Sequence, residues 1–152
     1  IGNQTLIKRA EKAKNIFPNN KEIIGLYNKI LIGQENMNQA IEYSQRGLNF
    51  FKSNDFINAS KEFENAILKN PYDYAYYENA ASANYMIGNL DKALVQIDKV
   101  INELNPLNGK CEYIKALIFI KLGDPIGACP LLKTSADSGY TSSNPLLNQY
   151  CQ

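Results

Sequence analysis

The sequence predicts an all-α fold, a helical-repeat solenoid of about nine antiparallel helices without strands. Three observations lead to this prediction. Small and large apolar residues recur at one period, a Gly or Asn turn marks the same point in each copy, and a proline ends two copies. Ala59 is followed by Ala93 after 34 residues and by Ala128 after a further 35. This period indicates helix pairs that stack on their neighbours, because one pair cannot bury both of its faces alone.

The small and large residues of each copy predict how its two helices pack. Small residues let the helices approach closely, and the large apolar residues around them form one buried stripe. On the first helices the small residues are Gly47, Ala81 and Ala116. On the second helices the small residues are Ala59, Ala93 and Ala128, and the large ones are Phe63, Ile97 and Leu132.

Turn residues and prolines predict the ends of these helices. Gly or Asn supplies the backbone freedom that breaks the first helix, and the following Asp or Asn caps the second. The turn pairs are Asn54-Asp55, Gly88-Asn89 and Gly123-Asp124. Pro71 and Pro106 stand where the second helix must stop. The extra residue of the longer step therefore lies between Ile101 and Pro106.

This pattern resembles the tetratricopeptide repeat, a family of paired antiparallel helices stacked in a right-handed solenoid. The first repeat, 40–73, carries the resemblance through Tyr43, Gly47, Phe50, Ala59, Phe63, Ala66 and Pro71. The second, 74–108, carries it through Tyr77, Ala81, Gly88, Ala93 and Pro106. The third, 109–140, carries it through Ala116, Phe119, Gly123, Asp124, Ala128 and Leu132. Asn84 stands where an aromatic residue is usual, and the third repeat departs at Ser135 and lacks the closing proline.

The segments that flank the repeats are also expected to be helical. In residues 1–39, small and apolar residues before Pro18 resemble the second helix of a degenerate repeat, and KEIIGLYNKILI predicts an amphipathic helix that ends at Gly33. We expect a degenerate repeat or a capping hairpin here. Residues 141–152 predict a capping helix with Pro145 in its first turn, which would cover the last exposed face of the stack.

Composition argues against several functional classes. The 16 basic and 15 acidic side chains leave a formal charge of +1, without the basic cluster that nucleic-acid binders carry on one face. Histidine is absent, which removes the usual general base and the commonest zinc ligand. The first residues, IGNQTLIKRAEKAK, hold no apolar run, so we expect no signal peptide within them. We predict a non-catalytic protein without a cofactor, a metal site or a membrane span.

The three cysteines allow two interpretations. Their spacings of 18 and 22 residues, without histidine, supply neither a clustered metal site nor a base for a nucleophile. Cys129 lies near the start of the second helix of the third repeat and Cys151 at the end of the antiparallel capping helix, so these two can meet in a disulfide, with Cys111 unpaired. A bridge would imply an exported, oxidising setting such as the periplasm. The alternative is buried free thiols in the cytoplasm.

The resemblance implies a concave groove, lined by the first helix of each repeat, in which this family usually binds extended peptides. The candidate groove residues are Leu48, Phe51, Asn79, Ser82, Tyr85, Lys110, Tyr113 and Leu117. The other inward-facing positions are Ile41, Ser44, Glu78 and Ile120.

One branch of the family clamps the terminal carboxylate of a partner with Lys, Asn and Arg side chains in five columns. Asn79 and Lys110 match two of those columns, whereas Ser44, Leu48 and Ile114 occupy the other three. A clamp that lacks most of its donors cannot hold a buried carboxylate, so we expect no binding of chaperone tails. The mixed apolar and tyrosine lining suits a short peptide or a partner helix.

The tyrosines of NPYDYAYYENA are a further candidate contact surface. Tyr77 repeats Tyr43, so it is expected to take part in the packing between helices. Tyr74 and Tyr76 could be exposed at the turn, where they would contact a partner.

These observations and the resemblance together predict a scaffold or adaptor that binds a protein or peptide partner. Two alternatives stay open. A nucleic-acid-binding helical repeat, as in the related pentatricopeptide family, would need basic groove residues. An accessory domain of a larger enzyme, or of a secretion or assembly complex, would need a pocket of convergent ionisable groups if it were catalytic.

Overall fold

The computed structural model describes residues 2–104 and 106–151, with side chains from residue 4 onward. Ile1, Asn105 and Gln152, which belong to the predicted N-terminal region, second repeat and capping helix, lie outside the described residues. Within them the chain forms helices and no strand, which confirms the predicted fold class. The helices are α1 (Gly2–Ile16), α2 (Lys21–Ile32), α3 (Gln34–Lys52), α4 (Phe56–Lys69), α5 (Tyr74–Ile87), α6 (Leu90–Lys99), α7 (Lys110–Lys121), α8 (Pro125–Asp137) and α9 (Asn144–Tyr150).

Helices α3 to α8 form three consecutive hairpins, and each hairpin packs on the next. The hairpins α3–α4, α5–α6 and α7–α8 span residues 34–69, 74–99 and 110–137. Helix α3 begins at Gln34, six residues before the predicted start of the first repeat, because only Gly33, with φ of 76°, separates it from α2. The first helices of the hairpins, α3, α5 and α7, are the ones that position the groove described below.

Complementary residue sizes set the spacing inside each hairpin. Gly47 on α3 is buried against Phe63 on α4, and a Cβ atom at Gly47 would stand 2.7 Å from two carbons of the phenyl ring. In the second and third hairpins, alanine takes the position of Gly47, and an aliphatic residue smaller than phenylalanine takes the position of Phe63. The pairs are Ala81 with Ile97 and Ala116 with Leu132. Where the residue on the second helix is smaller, the residue opposite it on the first helix is larger, so the core of each hairpin stays filled.

The predicted turns have one shared backbone geometry. Asn54, Gly88 and Gly123 adopt positive φ angles of 62°, 84° and 85°. The amide of the following residue donates to the carbonyl five residues earlier at 2.8–2.9 Å, which closes the first helix. The carboxylates of Asp55 and Asp124 then accept from the backbone amides of Asn58 and Gly127, and so cap the second helix. The turn pairs break and restart the helices as the sequence predicts, but the predicted cap by Asn89 is wrong, because its side chain makes no capping hydrogen bond with α6.

The longer second step of the repeat coincides with a π-helical turn. Helix α6 continues into this turn at Val100–Leu104, which overlaps the segment in which the sequence places the extra residue. A π-helical turn holds more residues per turn than an α-helix. It therefore absorbs an extra residue while Val100 stays fully buried in the core of the second hairpin.

Two buried polar networks explain the departures from the repeat pattern. Asn84 accepts from the hydroxyl of Ser60 at 3.1 Å and donates to Gln96 at 2.9 Å, so it joins α4, α5 and α6. The Ser135 hydroxyl donates to the Gly109 carbonyl at 2.5 Å, and it accepts from the Ser143 hydroxyl at 2.6 Å. Because all of these polar atoms have partners, they replace apolar contacts without leaving a buried group unsatisfied.

The N-terminal hairpin of α1 and α2 packs more loosely than the three repeats. No residue of α2 is fully buried. The ammonium of Lys14 on α1 lies 4.5 Å above the ring of Tyr27 on α2, which joins the two helices. Among the described residues, no helix combines the length and apolar character needed to cross a membrane.

Helix α9 covers the end of the stack. Leu146 and Leu147 pack against the core of the third hairpin, which contains Leu132. Cys129 on α8 and Cys151 after α9 form a disulfide, with their Cα atoms 5.6 Å apart, whereas Cys111 is free and buried. The capping helix is thus attached by apolar packing and by one covalent bond.

Candidate peptide-binding groove

A cleft of about 200 Å³ lies between α3, α5 and α7, and we call it the groove cleft. It is lined by Phe51, Ser82, Tyr85, Met86, Lys110, Tyr113, Ile114, Leu117 and Tyr140. Six of the eight candidate groove residues are in this lining. The other two lie outside it: Leu48 is exposed on α3, and Asn79 is half-buried on α5. The structure adds Met86, Ile114 and Tyr140 to the predicted set.

The lining of the groove cleft is mostly aromatic and aliphatic. Phe51 packs edge-on against Phe56, with ring centroids 5.0 Å apart. Tyr113 packs against Tyr140, with centroids 5.1 Å apart, and burial raises the pKa of the Tyr113 hydroxyl. Tyr140 enters from the segment between α8 and α9, so the chain beyond the last hairpin contributes a wall of the cleft. An apolar surface that also carries a few hydroxyl groups fits an apolar side chain of an extended peptide.

A buried ion pair lies beside the groove cleft. The Glu78 side chain is only 4% exposed, and its Oε2 lies 2.9 Å from the ammonium of Lys110. Its Oε1 accepts from the Asn108 amide at 3.1 Å and from the Cys111 thiol at 3.1 Å. Glu78 therefore binds the N-terminal end of α7 to α5. Sequence reasoning placed Glu78 on the inward face but did not detect its pairing with Lys110.

The remaining groups near the cleft have partners of their own. The Lys121 ammonium donates to the Tyr85 carbonyl at 3.0 Å and lies 4.5 Å above the Tyr85 ring. Burial, reinforced by the negative charge of Glu78, raises the pKa of the Cys111 thiol well above its usual range. This thiol therefore keeps its proton and is a poor nucleophile at neutral pH.

The tyrosine cluster only partly follows its prediction. Tyr76 is buried against Ala40 and Ala66, so the expectation that it is exposed was wrong. Its side chain fills the contact between the first two hairpins, a position that the local pattern of tyrosines does not reveal. Tyr74 is exposed, as predicted, and lies with Tyr72 in a second cleft of about 350 Å³ between α2 and the turn before α5.

The comparison with solved structures identifies the fold. The TPR2B domain of yeast Sti1, solved as a complex with pHsp70, superposes with a TM-score of 0.66 at 24% identity over 74% of this chain and 92% of that one. The TPR2AB domain of yeast Sti1, solved as a complex with pHSP90, gives a TM-score of 0.70 at 19% identity over 99% of this chain and 64% of that one. The chain folds as a tetratricopeptide-repeat domain.

The sequence comparison finds a relative over half of the chain. The chain is 41% identical over 77 residues to the Hsp70-Hsp90 organising protein of Plasmodium falciparum (isolate 3D7). The matched segment is 51% of this chain but only 13% of that protein, so the domain corresponds to a small part of its relative. No family model matches the chain.

Proposed function

We propose that this tetratricopeptide-repeat domain is a non-catalytic protein-interaction module, which holds a short peptide or a partner helix in the groove cleft. The observation that carries the proposal is the meeting of Phe51, Tyr85, Tyr113 and Leu117 from three different helices around one apolar cleft. Such convergence of apolar side chains, with a few hydroxyl groups among them, is typical of peptide sites.

The relatives support a protein partner. Both solved neighbours are tetratricopeptide-repeat domains in complexes, one with pHsp70 and one with pHSP90. The matched Plasmodium protein carries the name of an organiser of Hsp70 and Hsp90. We therefore propose an adaptor role, in which this domain supplies one binding surface of a larger assembly.

The ionisable groups beside the groove cleft favour binding over catalysis. Glu78 and Lys110 are engaged with each other, and Cys111 holds its proton because of its burial. A general base or nucleophile would need a free acceptor or an activated thiol in contact with the cleft. The groove cleft can accommodate a peptide side chain and form hydrogen bonds with it. Among the described residues that line it, none is a free base or an activated thiol.

Selection from a library of short random peptides tests this proposal. We expect the wild-type domain to enrich binding peptides. Tyr85→Ala and Leu117→Asp should each lower the affinity for these peptides by tenfold or more, because hot-spot side chains carry most of the binding energy (roughly 2 kcal/mol or more each). Val95→Asp is the matched control, since Val95 is 70% exposed on α6, away from the cleft. Equal losses in the control, or retained binding in the two groove variants, would place the binding surface elsewhere.

A further inference from the structure

The Glu78–Lys110 pair changes what the groove can recognise. Glu78 is almost completely buried, and its two oxygens accept from the Lys110 ammonium, the Asn108 amide and the Cys111 thiol. A buried carboxylate without a counter-charge is strongly destabilising, so this carboxylate keeps its cation. The Lys110 ammonium is consequently held at the wall of the cleft with its charge neutralised.

No second cation is available in the groove cleft. Among the described residues that line it, Lys110 is the only basic side chain. Lys121 lies close by, but its ammonium is directed to the Tyr85 carbonyl and ring. All the other lining residues are apolar or carry only a hydroxyl group, so an anion that entered the cleft would lose its hydration without gaining a counter-charge.

We propose that the groove selects an uncharged internal segment of its partner, with an apolar side chain in the groove cleft, and that Glu78 is the residue that sets this preference. The inference rests on the proposed peptide-binding function and specifies its ligand. A terminal carboxylate is disfavoured because Lys110 is already paired, and because the negative charge of Glu78 lies only 2.9 Å from the Lys110 ammonium. The partner chain then passes through the groove and does not end in it.

This proposal makes Glu78→Gln a gain-of-function change. Glutamine has nearly the same shape and can still accept from Asn108 through its carbonyl oxygen, but it removes the negative charge. Lys110 would then face the cleft with an uncompensated charge, and a charge-assisted hydrogen bond to a terminal carboxylate becomes possible. We expect the preference for peptides with a free carboxylate to rise about tenfold.

The test uses random peptide libraries displayed in two formats, one with a free C-terminal carboxylate and one with both ends joined to flanking protein. The wild-type domain should enrich binders from both formats alike, with apolar residues at the centre. Glu78→Gln should favour the free-carboxylate format by about tenfold, and the double change Glu78→Gln with Lys110→Met should abolish that gain. Thermal unfolding followed by circular dichroism verifies that each variant is folded.

The outcomes separate the two proposals. Enrichment by the wild type from the free-carboxylate format alone, lost with Tyr85→Ala, would overturn the proposed preference and leave peptide binding intact. An unchanged format preference in folded Glu78→Gln would also overturn the role of Glu78. Failure of the wild type to enrich Tyr85-dependent binders from either format would overturn the proposed function, and the inference with it.

Discussion

At the scale of single residues, one missing methyl group sets the distance between two helices. The ring of Phe63 occupies the space that a side chain at position 47 would need. The other hairpins place alanine at this position and a smaller apolar residue opposite it. Glycine is thus required by its neighbour and not by its backbone, because Gly47 lies within helix α3.

Gly47→Ala should destabilise the domain by about 1–3 kcal/mol, because the new methyl group overlaps the Phe63 ring. Phe63→Leu in the same chain should recover part of this loss, since it recreates the combination in the third hairpin. Urea denaturation measures both free energies of unfolding. Gly25→Ala is the control: nothing lies within 4 Å of its added Cβ, so it should be neutral or stabilising. Purely additive effects of the two changes would contradict the proposed contact.

Cys111 predicts a loss of stability at alkaline pH. Its folded-state pKa is raised by burial, whereas the unfolded thiol ionises near pH 8.5, roughly. The contribution of the protonated thiol to the free energy of unfolding is therefore fully present below that pH. It declines as the pH rises, by at most about 1.4 kcal/mol per pH unit. Cys111→Ala should therefore flatten the fall in unfolding free energy between about pH 8.5 and pH 10. An identical slope in wild type and variant would show that the thiol does not contribute.

At the scale of elements, the capping helix depends on a covalent bond more than the repeats do. Helix α9 has only seven residues, too few for a stable isolated helix. Its support comes from packing on α8 and from the Cys129–Cys151 disulfide. Because Tyr140 lies just before α9 and lines the groove cleft, loss of the cap would also disturb one wall of the groove.

Mass spectrometry after alkylation of the denatured protein measures the state of the cysteines. We expect one labelled thiol without reductant, at Cys111, and three after reduction. Cys151→Ser should lower the free energy of unfolding by about 3 kcal/mol, since the bridge closes a loop of 22 residues. It should also make the chain after α8 sensitive to protease. Three labelled thiols in the unreduced protein, or unchanged stability of Cys151→Ser, would contradict a structural bridge.

Local rules predicted the elements well. Asn54, Gly88 and Gly123 adopt the left-handed backbone that short-range turn chemistry demands, so the ends of the first helices follow from the sequence. The start of α3 was missed because a single glycine is enough to separate it from α2. Tyr76 was also misplaced, because its burial depends on Ala40 in a different hairpin.

At the scale of the whole molecule, the repeat period predicted most of the groove but not its charge. Positions such as Phe51 and Tyr85 share the groove because equivalent columns of successive repeats line the same side. Tyr140 follows α8 at the very end of the third repeat and belongs to none of the recurring columns, so the period could not place it. The partners of Glu78 lie thirty or more residues away in the chain, and only the packing of α7 on α5 brings them together.

The central claim is that the partner binds along α3, α5 and α7. Chemical-shift mapping tests it most directly: the isotope-labelled domain is titrated with a peptide from the selection and followed by two-dimensional NMR. The claim predicts that the largest shifts occur around Tyr85, Tyr113 and Leu117, and that they disappear in Tyr85→Ala. Shifts concentrated around Val95 and Ile126 on the exposed outer helices, or along α2, would contradict it.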